Sequence, residues 1–132
     1  MLDRIDSYLA PNVKALNLRA YRSEVIAGNI ANADTPHYKA RDFDFRTAMA
    51  GAIHNADLRL ARTDGGHLDP KALAAGAPRL QYRTPVQSSI DGNTVEMDAE
   101  VGRFSDNAMR YQAALTFTTD DIRMLRTALQ GQ

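Results

Sequence analysis

The stretch Val101-Gly-Arg-Phe-Ser-Asp-Asn-Ala-Met-Arg110-Tyr-Gln-Ala-Ala-Leu-Thr-Phe-Thr-Thr-Asp120-Asp-Ile-Arg-Met-Leu-Arg-Thr-Ala-Leu129 decides the fold. Within it Val101, Phe104, Ala108, Tyr111, Leu115, Thr118, Ile122, Leu125 and Leu129 follow at steps of three and four residues without a miss. Residues so spaced share one side of an α-helix, because one turn takes about 3.6 residues. The spacing predicts a helix from about Thr94 to Leu129. Asn93 is placed to cap its start, with Glu96 completing a capping box. Asp91, Glu96, Asp98, Glu100 and Asp106 crowd the beginning, while Arg123 and Arg126 sit near the end. That polarity complements the helix dipole.

A second stripe lies at the other terminus. From Leu2 the positions Ile5, Leu9, Val13, Leu16, Ala20, Ser23, Ala27 and Ile30 again follow at steps of three or four. Pro11 interrupts it, since proline lacks the amide donor and clashes with the preceding turn. The expectation is a short helix near residues 2–9 and a main helix starting about Pro11, where a first-turn proline costs nothing. Gly28 weakens that helix by about 1 kcal/mol relative to alanine.

Length then sets a problem. A helix over residues 94–129 is roughly 50 Å long at 1.5 Å per residue, whereas a compact chain of this size has a radius of gyration of about 14 Å. The two stripes can pair as an antiparallel or a parallel coiled coil. Leu18, Val25, Ile26, Met109 and Met124 widen the apolar surface beyond one seam, so part of it lacks cover in a monomer. Uncovered apolar surface marks an interaction site. The alternative is a plain helical hairpin whose middle segment folds back over it.

Between the stripes the periodicity fails. Asn32-Ala-Asp-Thr-Pro-His-Tyr-Lys39 is a helix stop and turn, since Asn and Asp cap and Pro cannot continue. Asp42-Phe-Asp-Phe45 alternates as a strand does, with both rings on one face. A short helix is expected over residues 47–56. Leu58 and Leu60, and Leu80 and Tyr82, alternate as two strands that could pair across the Gly65-Gly66 and Pro70 loop. The predicted fold is mainly α: a helical region over residues 1–31, an irregular middle over 32–93 with a small β-hairpin, and a helix over 94–132. These make one structural unit, with the terminal helices packed as a coiled coil.

Composition removes whole classes of function. The 132 residues carry 16 basic and 16 acidic side chains, and 13 of the basic ones are arginines. Zero net charge argues against a dedicated nucleic-acid binder, which needs a basic excess to neutralise phosphates. The absence of cysteine excludes a disulfide framework, a thiolate nucleophile and a cysteine-ligated zinc site. No apolar run approaches the ~18 residues of a membrane-spanning helix. The N-terminal Met1-Leu-Asp-Arg-Ile-Asp6 lacks a hydrophobic signal core, so no cleaved secretory peptide is expected.

Chemistry-bearing residues are scattered. His37, His54 and His67 have no i, i+4 pair and suggest no zinc face. Asp42 and Asp44 flank aromatics with no partner nucleophile or oxyanion motif. Gly65-Gly66 has no Lys-Ser/Thr after it, and Ser88-Ser89 has no elbow glycines. Nothing in this pattern supports an enzyme, and no cofactor is expected.

Several segments carry a resemblance. They are Ala15-Leu-Asn-Leu-Arg-Ala-Tyr-Arg22, Asn29-Ile-Ala-Asn-Ala-Asp-Thr-Pro36, Tyr38-Lys-Ala-Arg-Asp-Phe-Asp-Phe45, Tyr82-Arg-Thr-Pro85 and Asp91-Gly-Asn-Thr-Val-Glu-Met-Asp98. Asn107 and Tyr111-Gln-Ala-Ala-Leu-Thr-Phe117 follow. Together they resemble the bacterial flagellar basal-body rod proteins over nearly the whole chain. Asn-Ile-Ala-Asn is shared by rod and hook proteins generally. Lys-Ala-Arg-Asp-Phe, Gly-Asn-Thr-Val and the short length point to the proximal members. One departure stands out: the family usually has Gly after Thr-Pro, and here it is His37. Either a type I turn or a strained His37 must replace the usual type II turn.

The resemblance implies a structural subunit exported through the flagellum's own type III apparatus. It would assemble across the periplasm as a helical tube that transmits motor torque. Implied partners are the type III export gate, the connecting protein FliE, other rod proteins and further copies of the chain. Carried over as packing roles, Leu16, Ala20, Ser23, Ala27 and Ile30 would form the N-terminal seam. Phe104, Ala108, Tyr111, Leu115, Thr118, Ile122 and Leu125 would form the C-terminal one. Asn29, Asn32, Thr35, Pro36 and Tyr38 would shape the exit turn. The terminal helices would be loose in a free monomer, where burial does not offset ordering entropy. The rival expectation is a soluble coiled-coil adaptor or export chaperone that never polymerises.

Overall fold

The structure, a computed structural model, describes residues 2–54, 78–87 and 89–131. Its elements in chain order are α1 (Leu2–Ala31), β1 (Arg41–Asp42), α2 (Phe45–His54), β2 (Gln81–Tyr82) and α3 (Met97–Gln130). The chain is mainly α, with the two long terminal helices packed along each other. Their direction is antiparallel. Asn12 near the start of α1 donates to Asp121 near the end of α3 at 2.9 Å, and Asn29 at the end of α1 donates to Glu100 near the start of α3 at 3.1 Å.

Helix α1 runs unbroken through Pro11, where the sequence predicts a break. Proline there removes the donor for the Ser7 carbonyl, yet Ser7 and Pro11 are both exposed, so water can satisfy that oxygen. One turn further on, the helix already leans on α3 and α2. Leu18 and Ile26 are buried, and with Ala40 and Phe43 they form the small apolar core.

Helix α3 begins at Met97 rather than Thr94, and the expected capping box is absent. Glu96 is extended, with φ −106° and ψ 99°, and makes no side-chain cap. Its carboxylate accepts instead from the amides of Val86 at 2.9 Å and Gln87 at 3.1 Å. Asn93 is engaged elsewhere. Its side-chain oxygen accepts from the Val95 amide at 2.8 Å, while its side-chain nitrogen reaches the carbonyls of Asn32, Ala33 and Thr35 at 3.1, 2.6 and 3.0 Å. Asn93 thus braces the turn that follows α1, satisfying three of its carbonyls. Asn93→Ala should cost about 2–3 kcal/mol, since each bond contributes roughly 0.5–1.5 kcal/mol net. Urea denaturation measures it; an unmoved midpoint would mean the turn closes without this side chain.

The turn between α1 and β1 settles the place of His37. Tyr38 donates to the Thr35 carbonyl at 3.3 Å, and His37 has a φ of 61°. A positive φ at the third position excludes type I and leaves a β-carbon in left-handed backbone, at a cost of roughly 1–2 kcal/mol. The His37 amide is held by the Asp91 carbonyl at 3.0 Å. Gly92, itself at φ 73°, lies against the imidazole; a β-carbon there would stand 2.9 Å from His37 Nδ1. The histidine and this glycine fit as a pair.

The small sheet joins segments far apart in sequence. Arg41 pairs with Tyr82 and Asp42 with Gln81, antiparallel. Gln81–Tyr82 therefore lies on β1, and the Leu58–Leu60 segment expected to pair with it falls outside the described residues, as do His67 and the side chain of His54. The strand-like pattern of residues 42–45 stops at Asp42. Phe43 is buried against Tyr21, with ring centroids 5.7 Å apart, and Phe45 opens α2 beneath the Arg19 guanidinium at 4.3 Å. Asp44 caps α2, accepting from the Arg46 and Thr47 amides at 3.1 and 3.3 Å. Lys14 closes its other end on the Ala52 carbonyl at 2.9 Å.

Candidate functional site

The line of α3 facing α1 is mostly polar. Glu100, Asn107 and Thr118 are its buried residues, and Arg103, Asp106, Tyr111, Ala114, Asp121 and Leu125 continue it half-buried. The apolar stripe lies one residue to the side. Met97, Val101, Phe104, Leu115, Ile122 and Leu129 are all exposed, Phe104 and Leu115 at 40%. Ala108 is exposed with them. On the helix's other flank Met109, Phe117 and Met124 are open as well, Phe117 at 69%. So α3 presents one polar edge to its own chain and apolar flanks outward.

Each residue assigned a packing role has a definite place. On α1, Leu16, Ser23 and Ile30 are half-buried, while Ala20 and Ala27 are exposed. On α3, Tyr111 and Leu125 are half-buried, Thr118 is buried and its hydroxyl donates to the Ala114 carbonyl at 2.8 Å. At the open end of the pair Ile5, Leu9, Ile122, Leu125 and Leu129 line an apolar groove. Around the exit turn, Asn32 donates to the Gly28 carbonyl at 2.8 Å and accepts from the Thr35 hydroxyl at 3.2 Å. Pro36 is exposed and Tyr38 half-buried. Asn29 is fully buried and treats β1 as a neighbouring strand would. It accepts from the Arg41 amide at 3.0 Å and donates to the Arg41 carbonyl at 2.8 Å.

From Asn29 a chain of charges fastens the middle segment to both helices. Glu100, 1% exposed, receives Arg103 at 2.8 Å together with Arg83 and Asn29. Arg83 reaches on to Asp42 at 2.6 Å, and Arg22 grips the same carboxylate with two bonds of 2.8 and 3.1 Å. Three guanidinium groups share two carboxylates, and the partners come from α1, β1, α3 and the loop after β2. Such forked, charge-assisted bonds fix orientation as well as distance. Burial pushes the Asp42 carboxyl up, but the Arg22 bonds, the Phe43 amide and Arg83 outweigh it and hold it below the usual carboxylate range.

The sign of the resulting pH dependence follows. A carboxyl bound more tightly as an anion in the folded state leaves the unfolded chain holding more protons. The stabilisation is full above the unfolded value, about 3.9, and drains away as pH falls through the lower folded value. Thermal midpoints should therefore drop on acidification below about pH 4, and Asp42→Asn should start lower at neutral pH but fall less steeply. Parallel slopes for the two proteins would contradict this.

These acids are committed to structure. Asp42 is pinned by arginines, Asp44 caps a helix, and among the described residues no group of three His, Asp or Glu side chains could hold a metal ion. No described helix is long and apolar enough to cross a membrane. Sequence reasoning missed Arg22, Arg83 and Glu100 as partners. The one available signal was a second, polar run of three- and four-residue steps (Glu100, Arg103, Asn107, Tyr111) beside the apolar one.

Fold and site together define a helical scaffold whose apolar stripe faces outward, and residues 12–39 match the family described as flagella basal body rod protein. The chain is 43% identical to the flagellar basal body rod protein FlgB of Salmonella typhimurium, with 99% of each covered. It is 44% identical to FlgB of Escherichia coli over the same share, and 44% identical to FlgB of Cereibacter sphaeroides over 94% of each. The chain belongs to the FlgB family of flagellar basal body rod proteins.

Proposed function

We propose that the chain is a structural subunit of the flagellar basal-body rod, built through its terminal helices into a helical tube that transmits motor torque. The observation that carries this is the row of exposed apolar residues on α3, Met97, Val101, Phe104, Leu115, Ile122 and Leu129, spaced from one end of the helix to the other. Exposed apolar area of this extent is covered by neighbours in a working assembly. A subunit with different apolar flanks on one helix makes contacts that need not close on themselves, and non-closing contacts generate helical filaments. The packing residues Ala20, Ala27, Phe104, Ala108, Leu115 and Ile122 are the exposed part of that surface.

The partners proposed are other rod proteins, further copies of the chain, the connecting protein FliE and the type III export gate. The location proposed is the rod where it crosses the periplasm. The role is mechanical and not enzymatic, because the acids and bases of the site neutralise one another. Sedimentation of the purified protein, alone and mixed with other rod proteins, tests it. Large species that grow with concentration are expected. A saturable one-to-one complex that never grows would favour an adaptor instead.

A further inference from the structure

The boundary between α1 and α3 holds more polar groups than a seam of two amphipathic helices needs. Asn107, 0% exposed, donates to the Arg19 carbonyl at 2.9 Å and to the Ser23 hydroxyl at 2.8 Å. Asn12 donates to Asp121 at 2.9 Å, and Asn29 to Glu100 at 3.1 Å. These contacts are spread along the pair, one near each end and one between. The Asn107 side-chain oxygen is buried with no partner among the described residues, so the amide is not there to maximise stability. Meanwhile the apolar residues Val101, Phe104 and Leu115 stand beside this line and are exposed.

We propose that Asn107, backed by Asn12 and Asp121, is a positioning key that selects the register and rotation of α3 on α1. Apolar side chains are interchangeable, and two apolar stripes can pair in several registers. A buried amide in such a seam disfavours the alternatives, because in another register it gives up the Ser23 hydroxyl. Sliding α3 by one heptad sets Asn107 against Asn12 and Leu16 in one direction and against Ile26 and Ile30 in the other; both slides lose the Ser23 hydroxyl, and the second offers no side-chain acceptor at all. Either slide also parts Glu100 from Asn29. Rotating α3 to bury its apolar stripe against α1 turns Asn107 and Glu100 away from their partners. The key keeps the pairing within the chain on the polar edge and leaves the apolar flanks for other contacts. It acts within one chain, so it does not depend on what those flanks meet.

The chain has no cysteine, so introduced thiols report register without interference. Leu9→Cys with Leu125→Cys places a pair across the groove at the open end and leaves Asn12 and Asp121 in place, and a short thiol cross-linker traps the native register in the full-length protein. With Asn107 present, the product expected is one intramolecular species. Adding Asn107→Leu should keep the helical circular dichroism and hold or raise the melting temperature. It should also lower the intramolecular cross-link yield severalfold, with cross-linked dimers appearing. Asn107→Ser, a smaller polar change, should fall between. An undiminished intramolecular yield in Asn107→Leu would overturn the proposal. So would loss of helicity in both variants, which would show that Asn107 supplies stability rather than selection.

Discussion

Glu100→Ala should lower the melting temperature by about 10–20 °C, the largest stability loss expected from any single change in this chain. The carboxylate is almost wholly buried and is shared by Arg83, Arg103 and Asn29. Removing it leaves two guanidinium groups facing each other with one carboxylate, Asp42, between all three arginines. Breaking a buried pair from one side costs about 3–5 kcal/mol, because the remaining charge is left desolvated and unpaired. The exposed pair Arg110 with Asp106, at 2.8 Å and half open to solvent, is the internal control. Breaking it should cost under about 1 kcal/mol. Circular dichroism melts of both variants measure the difference, and similar small shifts would mean that the buried charges contribute little.

Leu115→Asp separates the isolated chain from the assembled one. Leu115 is 40% exposed, so the substitution should move the melting temperature of the purified protein only slightly, as exposed helix positions do. In a rod where a neighbour covers that flank, the same carboxylate would be buried without a partner, at a cost of several kcal/mol. Motility in soft agar should be abolished in a strain whose only copy carries the change, and rod incorporation with it. A strain that swims normally would place the assembly surface elsewhere. A protein that unfolds on its own would place Leu115 inside the monomer.

The two long helices were legible because their repeats persist for some thirty residues, long enough for a 3.6-residue period to stand clear. The inward face of α3 was not. Val101, Phe104 and Ala108 share their spacing with Glu100, Arg103 and Asn107, offset by one position, so periodicity fits both lines. Hydrophobicity selects the first as buried, but one chain buries the second. Pro11 misled for a related reason: the penalty for a missing amide is a local rule, and an exposed carbonyl at Ser7 escapes it. The charge network lay beyond local pattern altogether. Arg22 and Asp42 are 20 residues apart, Asp42 and Arg83 are 41, and Asn29 and Glu100 are 71. Asn93 looked like a helix cap because caps and turn braces use the same amide; only the fold shows which carbonyls it meets. Around His37 the sequence narrowed the turn to two geometries, and the φ of 61° selected the strained one.

The bond between Asp42 and Arg83 also has a practical use. It pins together the two points between which residues 43–82 run, while α2 is tethered by Lys14 and β2 by its pairing with β1. Lengthening a chain whose ends are already tied costs little, about 0.6 kcal/mol for each doubling. A fluorophore-binding peptide or an affinity tag spliced between α2 and β2 should therefore leave both terminal helices untouched, giving a handle on the chain away from its packing surfaces.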